Sequence, residues 1–242
     1  MINIWKKILG LARIINPPAK VIGLEMGNTI LRLVILGGDR KLLKEESIKL
    51  GRGIIENGKI KDKTKLSEAL TKLIKQSSLR RPVSVIVSIS ASNVYLQVFH
   101  LPPVARARLE ESARLNLQMI SPINTKSAYY DWELLDEKGG SPADLLGAFA
   151  VSSEIDELTD ILEEAGFSVA VIESAPMSLA RALGGMLPDL SNPHICLRLS
   201  GDGLDFFIMK NGRLYFSYFV SWSSLKEGDK ADIDLGKVKE EI

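Results

Sequence analysis

Apolar residues along this chain follow two periods, and the switches between them lay out its elements. Val21 to Gly27 and Ile30 to Leu36 are apolar runs broken by small residues. Leu42 to Leu50 follows a Gly37-Gly38-Asp39 turn, and the three runs read as a β-meander. From 62 to 79 the spacing becomes helical, with Leu66, Leu70, Leu73 and Ile74 on one face. Val83, Val85, Val87 and Ile89 alternate with small or branched partners, the pattern of a buried strand. A strand at Tyr95 to Leu101 ends at Pro102-Pro103. Residues 104–120 then read as a helix with Leu109, Ala113, Leu117 and Ile120 along one side, stopped by Pro122.

Tyr129 to Leu135 and Leu145 to Val151 read as strands. Ser153 is placed to cap the next helix, with Asp156 as the acid three residues on. That helix carries Ile155, Leu158, Ile161 and Leu162, and Gly166 sits where a C-terminal cap belongs. Phe167 to Ile172 reads as a strand, Pro176 to Leu187 as a helix, and Pro188 to Pro193 as a linker. Three strands follow, at Ile195 to Leu199, Leu204 to Met209 and Leu214 to Val220, with a hairpin signal at Asn211-Gly212. The C-terminal stretch is polar and becomes compatible with a helix only from about Asp234.

One unit repeats. With Glu25 set against Arg198, an offset of 173 residues, Gly27 meets Ser200, Asn28 meets Gly201, Leu31 meets Leu204 and Ile35 meets Ile208. The turn Gly38-Asp39-Arg40 meets Asn211-Gly212-Arg213. Each copy reads strand, tight turn, strand, glycine turn, strand, which points to a duplicated α/β domain with a cleft between the copies. A tight turn of small residues leaves backbone N–H groups free to face an anion. Two opposed turns can clamp a nucleotide's phosphates, and a carboxylate beside each can hold hydrated Mg²⁺.

Composition narrows the choices. The chain has 242 residues, with 31 Lys plus Arg against 30 Asp plus Glu, a net charge of +1. That balance argues against a nucleic-acid footprint. Cys196 is the sole cysteine, which excludes an intrachain disulfide and a cysteine-based zinc site. It fits a reducing compartment. His100 and His194 are the only histidines, too few for a multi-histidine metal centre. No apolar run approaches the ~18 residues needed to span a bilayer, so work at a membrane requires recruitment. Residues 1–20 carry Lys6, Lys7, Arg13 and Lys20 and no acid, with Ile4, Ile8, Leu11 and Ile15 at helical spacing before Asn16-Pro17-Pro18. Two readings of this arm stay open: an amphipathic helix on an anionic membrane surface, or an arm packed on protein.

The segment Ile22-Gly23-Leu24-Glu25-Met26-Gly27-Asn28-Thr29 resembles the first phosphate loop of the actin-like PilM and FtsA proteins. The likeness to the PilM family continues through Ile54-Ile55-Glu56-Asn57-Gly58-Lys59-Ile60, Leu101-Pro102, Glu110-Glu111 and Ile120-Ser121-Pro122-Ile123. It runs on through Tyr130-Asp131, Glu164-Ala165-Gly166-Phe167, Leu179-Ala180-Arg181-Ala182-Leu183 and the hairpin at Asn211-Gly212. It covers roughly residues 20–225, and the order of these weak motifs carries it.

The resemblance implies an α/β, actin-like (RNase H-like) duplicated domain with an inserted subdomain and an incomplete second half. It implies an N-terminal arm at 1–19, a first subdomain at 20–98 plus 168–187, a partner-binding insertion at 99–167 and the start of a second subdomain at 194–242. It also implies a cytoplasmic scaffold of the type IV pilus inner-membrane platform, peripheral to the membrane. Its partner would be the N-terminal cytoplasmic peptide of a bitopic, PilN-like protein, with self-association as a further possibility. The implied nucleotide-binding residues are Glu25, Gly27, Asn28, Thr29, Ser200, Gly201, Asp202 and Gly203.

Three departures weaken an ATP and Mg²⁺ site. The family's first-loop Asp is Glu25, its second-loop Asp is Arg198 and the glycine after that is Ser200. An arginine can pair with a phosphate but cannot organise Mg²⁺. The family's adenosine loop would lie beyond Ile242. Asp202 and Asp205 lie near the second turn and have two readings, substitutes for the missing loop carboxylate or, more simply, surface turn residues. A scaffold with a degenerate cleft and no catalytic residue is the reading taken. An active actin-like ATPase truncated here, and the cytoplasmic domain of a GspL-like type II secretion protein, are its alternatives.

Overall fold

The computed structural model describes residues 22–37, 41–103, 108–136, 142–187, 189 and 191–225. The N-terminal arm, part of the first glycine turn, part of the expected linker and the stretch from Asp234 lie outside them. Strands β1 (Ile22–Met26), β2 (Ile30–Leu36) and β3 (Leu42–Lys49) form the antiparallel meander that the pattern predicts. Beyond β1, β6 (Val83–Ile89) pairs parallel with β1, and β10 (Phe167–Ser174) pairs parallel with β6. The order β10-β6-β1-β2-β3 is that of an RNase H-like sheet, the half-unit of the actin-like fold.

Helices cover one face of this sheet. In α1 (Lys63–Ser77) the Asp62 carboxylate caps the first turn by accepting from the Lys65 N–H at 3.0 Å. Its buried stripe of Leu66, Leu70, Leu73 and Ile74 joins Leu24, Leu31, Leu33, Val85 and Val87 in the main core. In α3 (Ser152–Ala165), Leu158, Ile161, Leu162 and Ala165 enter the same core, and Gly166 closes the helix at φ 98°. Ser153 is not its cap. The preceding strand runs straight into the helix through Val151, which makes no side-chain cap bond. Glu154 supplies the negative charge of the first turn, and Asp156 accepts instead from the Tyr129 hydroxyl at 2.8 Å.

The inserted unit consists of β7 (Tyr95–Leu101), α2 (Leu109–Ile120), β8 (Ala128–Asp136) and β9 (Ala143–Val151), with sheet order β7-β9-β8. Ala113 and Leu117 of α2 pack on Phe99, Leu101, Leu145 and Phe149. The apolar face of α3 completes the core shared with α1 and not the inserted sheet. A short hairpin, β4 (Ile55–Glu56) with β5 (Lys59–Ile60), turns at Asn57 and Gly58, both at positive φ.

The second copy is the antiparallel sheet of β11 (His194–Leu199), β12 (Gly203–Lys210) and β13 (Arg213–Ser221). One face packs on α4 (Ala175–Gly184) and on the inserted sheet, in a cluster of Leu135, Leu146, Ala180, Phe207, Met209 and Leu214. Gly184 lies so close to Gly212 that a side-chain carbon on it would come within 2.5 Å of the Gly212 Cα. The other face carries exposed Ile195, Leu197, Leu199, Phe216 and Tyr218. Among the described residues, no helix is long and apolar enough to cross a membrane.

Candidate functional site

The turn between β1 and β2 meets the turn between β11 and β12, as the repeat predicts for opposed loops. The meeting is direct contact. Both carboxylate oxygens of Asp202 accept from the Asn28 backbone N–H, each at 2.9 Å. A side-chain carbon on Gly27 would stand 3.0 Å from Asp202 Oδ2, and one on Gly201 would stand 2.3 Å from Thr29 Oγ1. The second turn is braced internally by Ser200, whose hydroxyl receives the Asp202 and Gly203 N–H groups at 3.2 Å. Trp222 donates its indole N–H to the Ser200 carbonyl at 2.7 Å. The Asn28 side chain accepts from the Gly58 N–H at 3.0 Å, which ties the β4–β5 hairpin to the first loop.

Charges alternate across the same contact. Arg198 is the cross-strand partner of Asp205, and its Nη1 lies 2.9 Å from Asp205 Oδ2. Its Nη2 reaches across to Glu25 Oε1 at 2.6 Å. The other oxygen of Glu25 takes Arg32 Nη1 at 3.0 Å, and Arg32 Nε stands 3.1 Å from Glu45. Asp205 is fully buried, not a surface turn residue, and its Oδ1 has no hydrogen-bond partner. Burial pushes the Asp205 carboxyl above its usual range, against the pull of Arg198. Burial also raises Asp202, opposed by the Asn28 amide.

All eight residues assigned to a nucleotide site, Glu25, Gly27, Asn28, Thr29, Ser200, Gly201, Asp202 and Gly203, lie in or beside these two turns. The donor set does not fit hydrated Mg²⁺, because Glu25 is held by two guanidinium groups and one of them stands between Glu25 and Asp205. Sequence reasoning missed Arg32, Gly58 and Trp222. The Asn57-Gly58 pair was a usable signal for the hairpin, whereas nothing local marks Arg32 or Trp222. Beside the turns, a cleft of about 850 Å³ is lined by Glu25, Arg32, Lys49, Ser88, Glu173 and Arg198, among others. Glu173 is held by Ser178 at 2.8 Å and Arg181 at 2.6 Å.

A second concavity, about 490 Å³, lies between β10 and the inserted sheet. Tyr130, Trp132, Val171, Ile172, Met177 and Arg181 contribute to its walls. Both β10 and β8 are terminal strands of their sheets. Tyr129 and Val171 are about half exposed there, at 53% and 48%. The remaining candidates do not form sites. His100 is exposed and pairs with Asp144 at 2.6 Å, and burial raises the Cys196 thiol, which keeps it protonated among apolar neighbours.

A family model described as type IV pilus assembly protein PilM matches residues 23–197. A solved structure of a PilM–PilN type IV pilus biogenesis complex is similar at TM-score 0.74 and 18% identity, over 85% of this chain and 62% of that one. The chain thus spans less than two thirds of that relative. The cytoplasmic domain of EpsL, an inner membrane component of the Vibrio cholerae type II secretion system, is similar at TM-score 0.53 and 16% identity, over 87% of this chain and 78% of that one. Compared with curated proteins by sequence, the chain matches none.

Proposed function

This chain belongs to the family of type IV pilus assembly protein PilM, and on that premise we propose that it is a nucleotide-independent scaffold. It would stand on the cytoplasmic face of the inner membrane and take the N-terminal cytoplasmic peptide of a bitopic, PilN-like protein. The observation that supports this most is the concavity between β10 and the inserted sheet. An extended peptide there could add to a terminal strand through main-chain hydrogen bonds and place apolar side chains against Trp132, Val171 and Met177. Tyr130 and Arg181 offer polar groups for orientation.

In this reading the cleft between the copies is degenerate and needs no ATP or Mg²⁺. A calorimetric titration with the cytoplasmic peptide of a PilN-like protein, with no nucleotide added, tests it. Saturable binding that weakens at least tenfold in Val171→Asp is expected. No binding at hundreds of micromolar would overturn the assignment. The likeness to the EpsL cytoplasmic domain favours a second reading, a GspL-like role in type II secretion. That reading gains if PilN-like peptides fail and a type II secretion inner-membrane component binds.

A further inference from the structure

We propose that the chain fills its own phosphate loop: Asp202 occupies the first turn as a resident anion, and Arg198 supplies the counter-charge that a metal would otherwise bring. The two copies are then latched together without ligand. The inference rests on the degenerate-cleft part of the preceding reading and gives it a physical cause.

The Asn28 N–H is the donor at the centre of the contact. In a tight turn of small residues it is the kind of donor that receives a phosphate oxygen. Here both oxygens of a carboxylate from 174 residues away take it, at 2.9 Å each. To a backbone amide, a carboxylate and a phosphate are the same class of acceptor, and a resident anion excludes a second by repulsion and by volume. Little volume is free in any case. The turns touch closely: a side-chain carbon at 201 would run into the Thr29 hydroxyl and force it to turn away.

Arg198 completes the latch from one side. Its own half fixes it through buried Asp205, and its other terminal nitrogen crosses to Glu25 at 2.6 Å. Glu25 is steadied in turn by Arg32. The series Asp205, Arg198, Glu25, Arg32 alternates in sign, so each charge has an opposite neighbour with no cation added. Any incoming phosphate must displace Asp202 and compete with Glu25 for Arg198, whose two terminal nitrogens are already engaged.

The test is a calorimetric titration with inorganic tripolyphosphate of the wild-type chain, Asp202→Ala and Asp202→Asn, each with and without Mg²⁺. The asparagine variant keeps the size of the side chain and removes its charge, and thermal shift gives a second readout of the same binding. The latch predicts no saturable binding by wild type. It predicts that the variants bind at least tenfold more tightly than the wild-type limit, equally with or without Mg²⁺. Folded variants that bind nothing would overturn it, as would binding that requires Mg²⁺. Saturable tripolyphosphate binding by the wild type would instead contradict the degenerate cleft itself. A silent wild type with silent variants would contradict the latch alone.

Discussion

Ile22, Leu24 and Met26 of the first meander and Ile195, Leu197 and Leu199 of the second hold equivalent places in the repeat. The first three are 3%, 0% and 6% exposed, the second three 72%, 50% and 69%. Strand period and turn chemistry are shared, so those local features make the meander in both copies. Burial is not local. It comes from α1 and α3, whose apolar stripes lie on the first sheet. Among the described residues no counterpart lies on the second, whose outer face is a contiguous apolar surface of the kind that marks an interaction site.

The widest separation between the copies should appear on truncating equivalent leucines. Leu24→Ala removes a fully buried side chain and should cost about 2–5 kcal/mol in urea unfolding. Leu197→Ala should cost less than about 1 kcal/mol, because that side chain is half exposed. Equal losses would show that the second face is covered in solution, and sedimentation would tell whether a second copy covers it.

A smaller difference separates the charged residues at the matched positions 25 and 198. Arg198→Met leaves Asp205 buried without its partner and should cost about 3 kcal/mol. Glu25→Gln should cost less than about 1 kcal/mol, because Arg198 keeps Asp205 and Arg32 keeps Glu45. If the two losses were alike, the cross-cleft pair, not the pair within the second copy, would be the stronger one.

The smallest effect concerns pH. Asp205 holds its proton more tightly in the folded chain than in the unfolded one, because burial raises it above 3.8. Its ionisation therefore opposes folding. Its contribution favours folding at low pH and is lost as pH rises from the ordinary carboxyl range through the raised value. In urea unfolding followed upward in pH from the ordinary carboxyl range, Asp205→Asn should flatten that trend, and an unchanged slope would contradict it.

These contrasts also mark what was legible in the sequence. Both meanders, α1 and the Asn211-Gly212 hairpin follow from period and turn residues, and the offset between Glu25 and Arg198 correctly opposes two turns. The paired faces are long-range facts. Asp205 reads as a surface turn residue from sequence, because nothing in the apolar run of β12 says that Arg198 of the neighbouring strand would neutralise it on the buried face. Asp202 looked like an ordinary turn residue because its partner amide is 174 residues away. Ser153 carried the right chemistry for a cap, but β9 continues into α3 without the break that a cap requires. The apolar stripe of α3 likewise does not declare which sheet it will cover, and the structure lays it in the core shared with α1.

The central claim is that the chain binds a membrane protein's peptide without a nucleotide. The most direct measurement is a titration of that PilN-like cytoplasmic peptide into the wild-type chain, in the absence and then the presence of Mg-ATP, with Val171→Asp alongside. The account predicts one saturable isotherm unchanged by Mg-ATP and weakened at least tenfold by the substitution. Binding that appears only with Mg-ATP, or no binding at all, would contradict it.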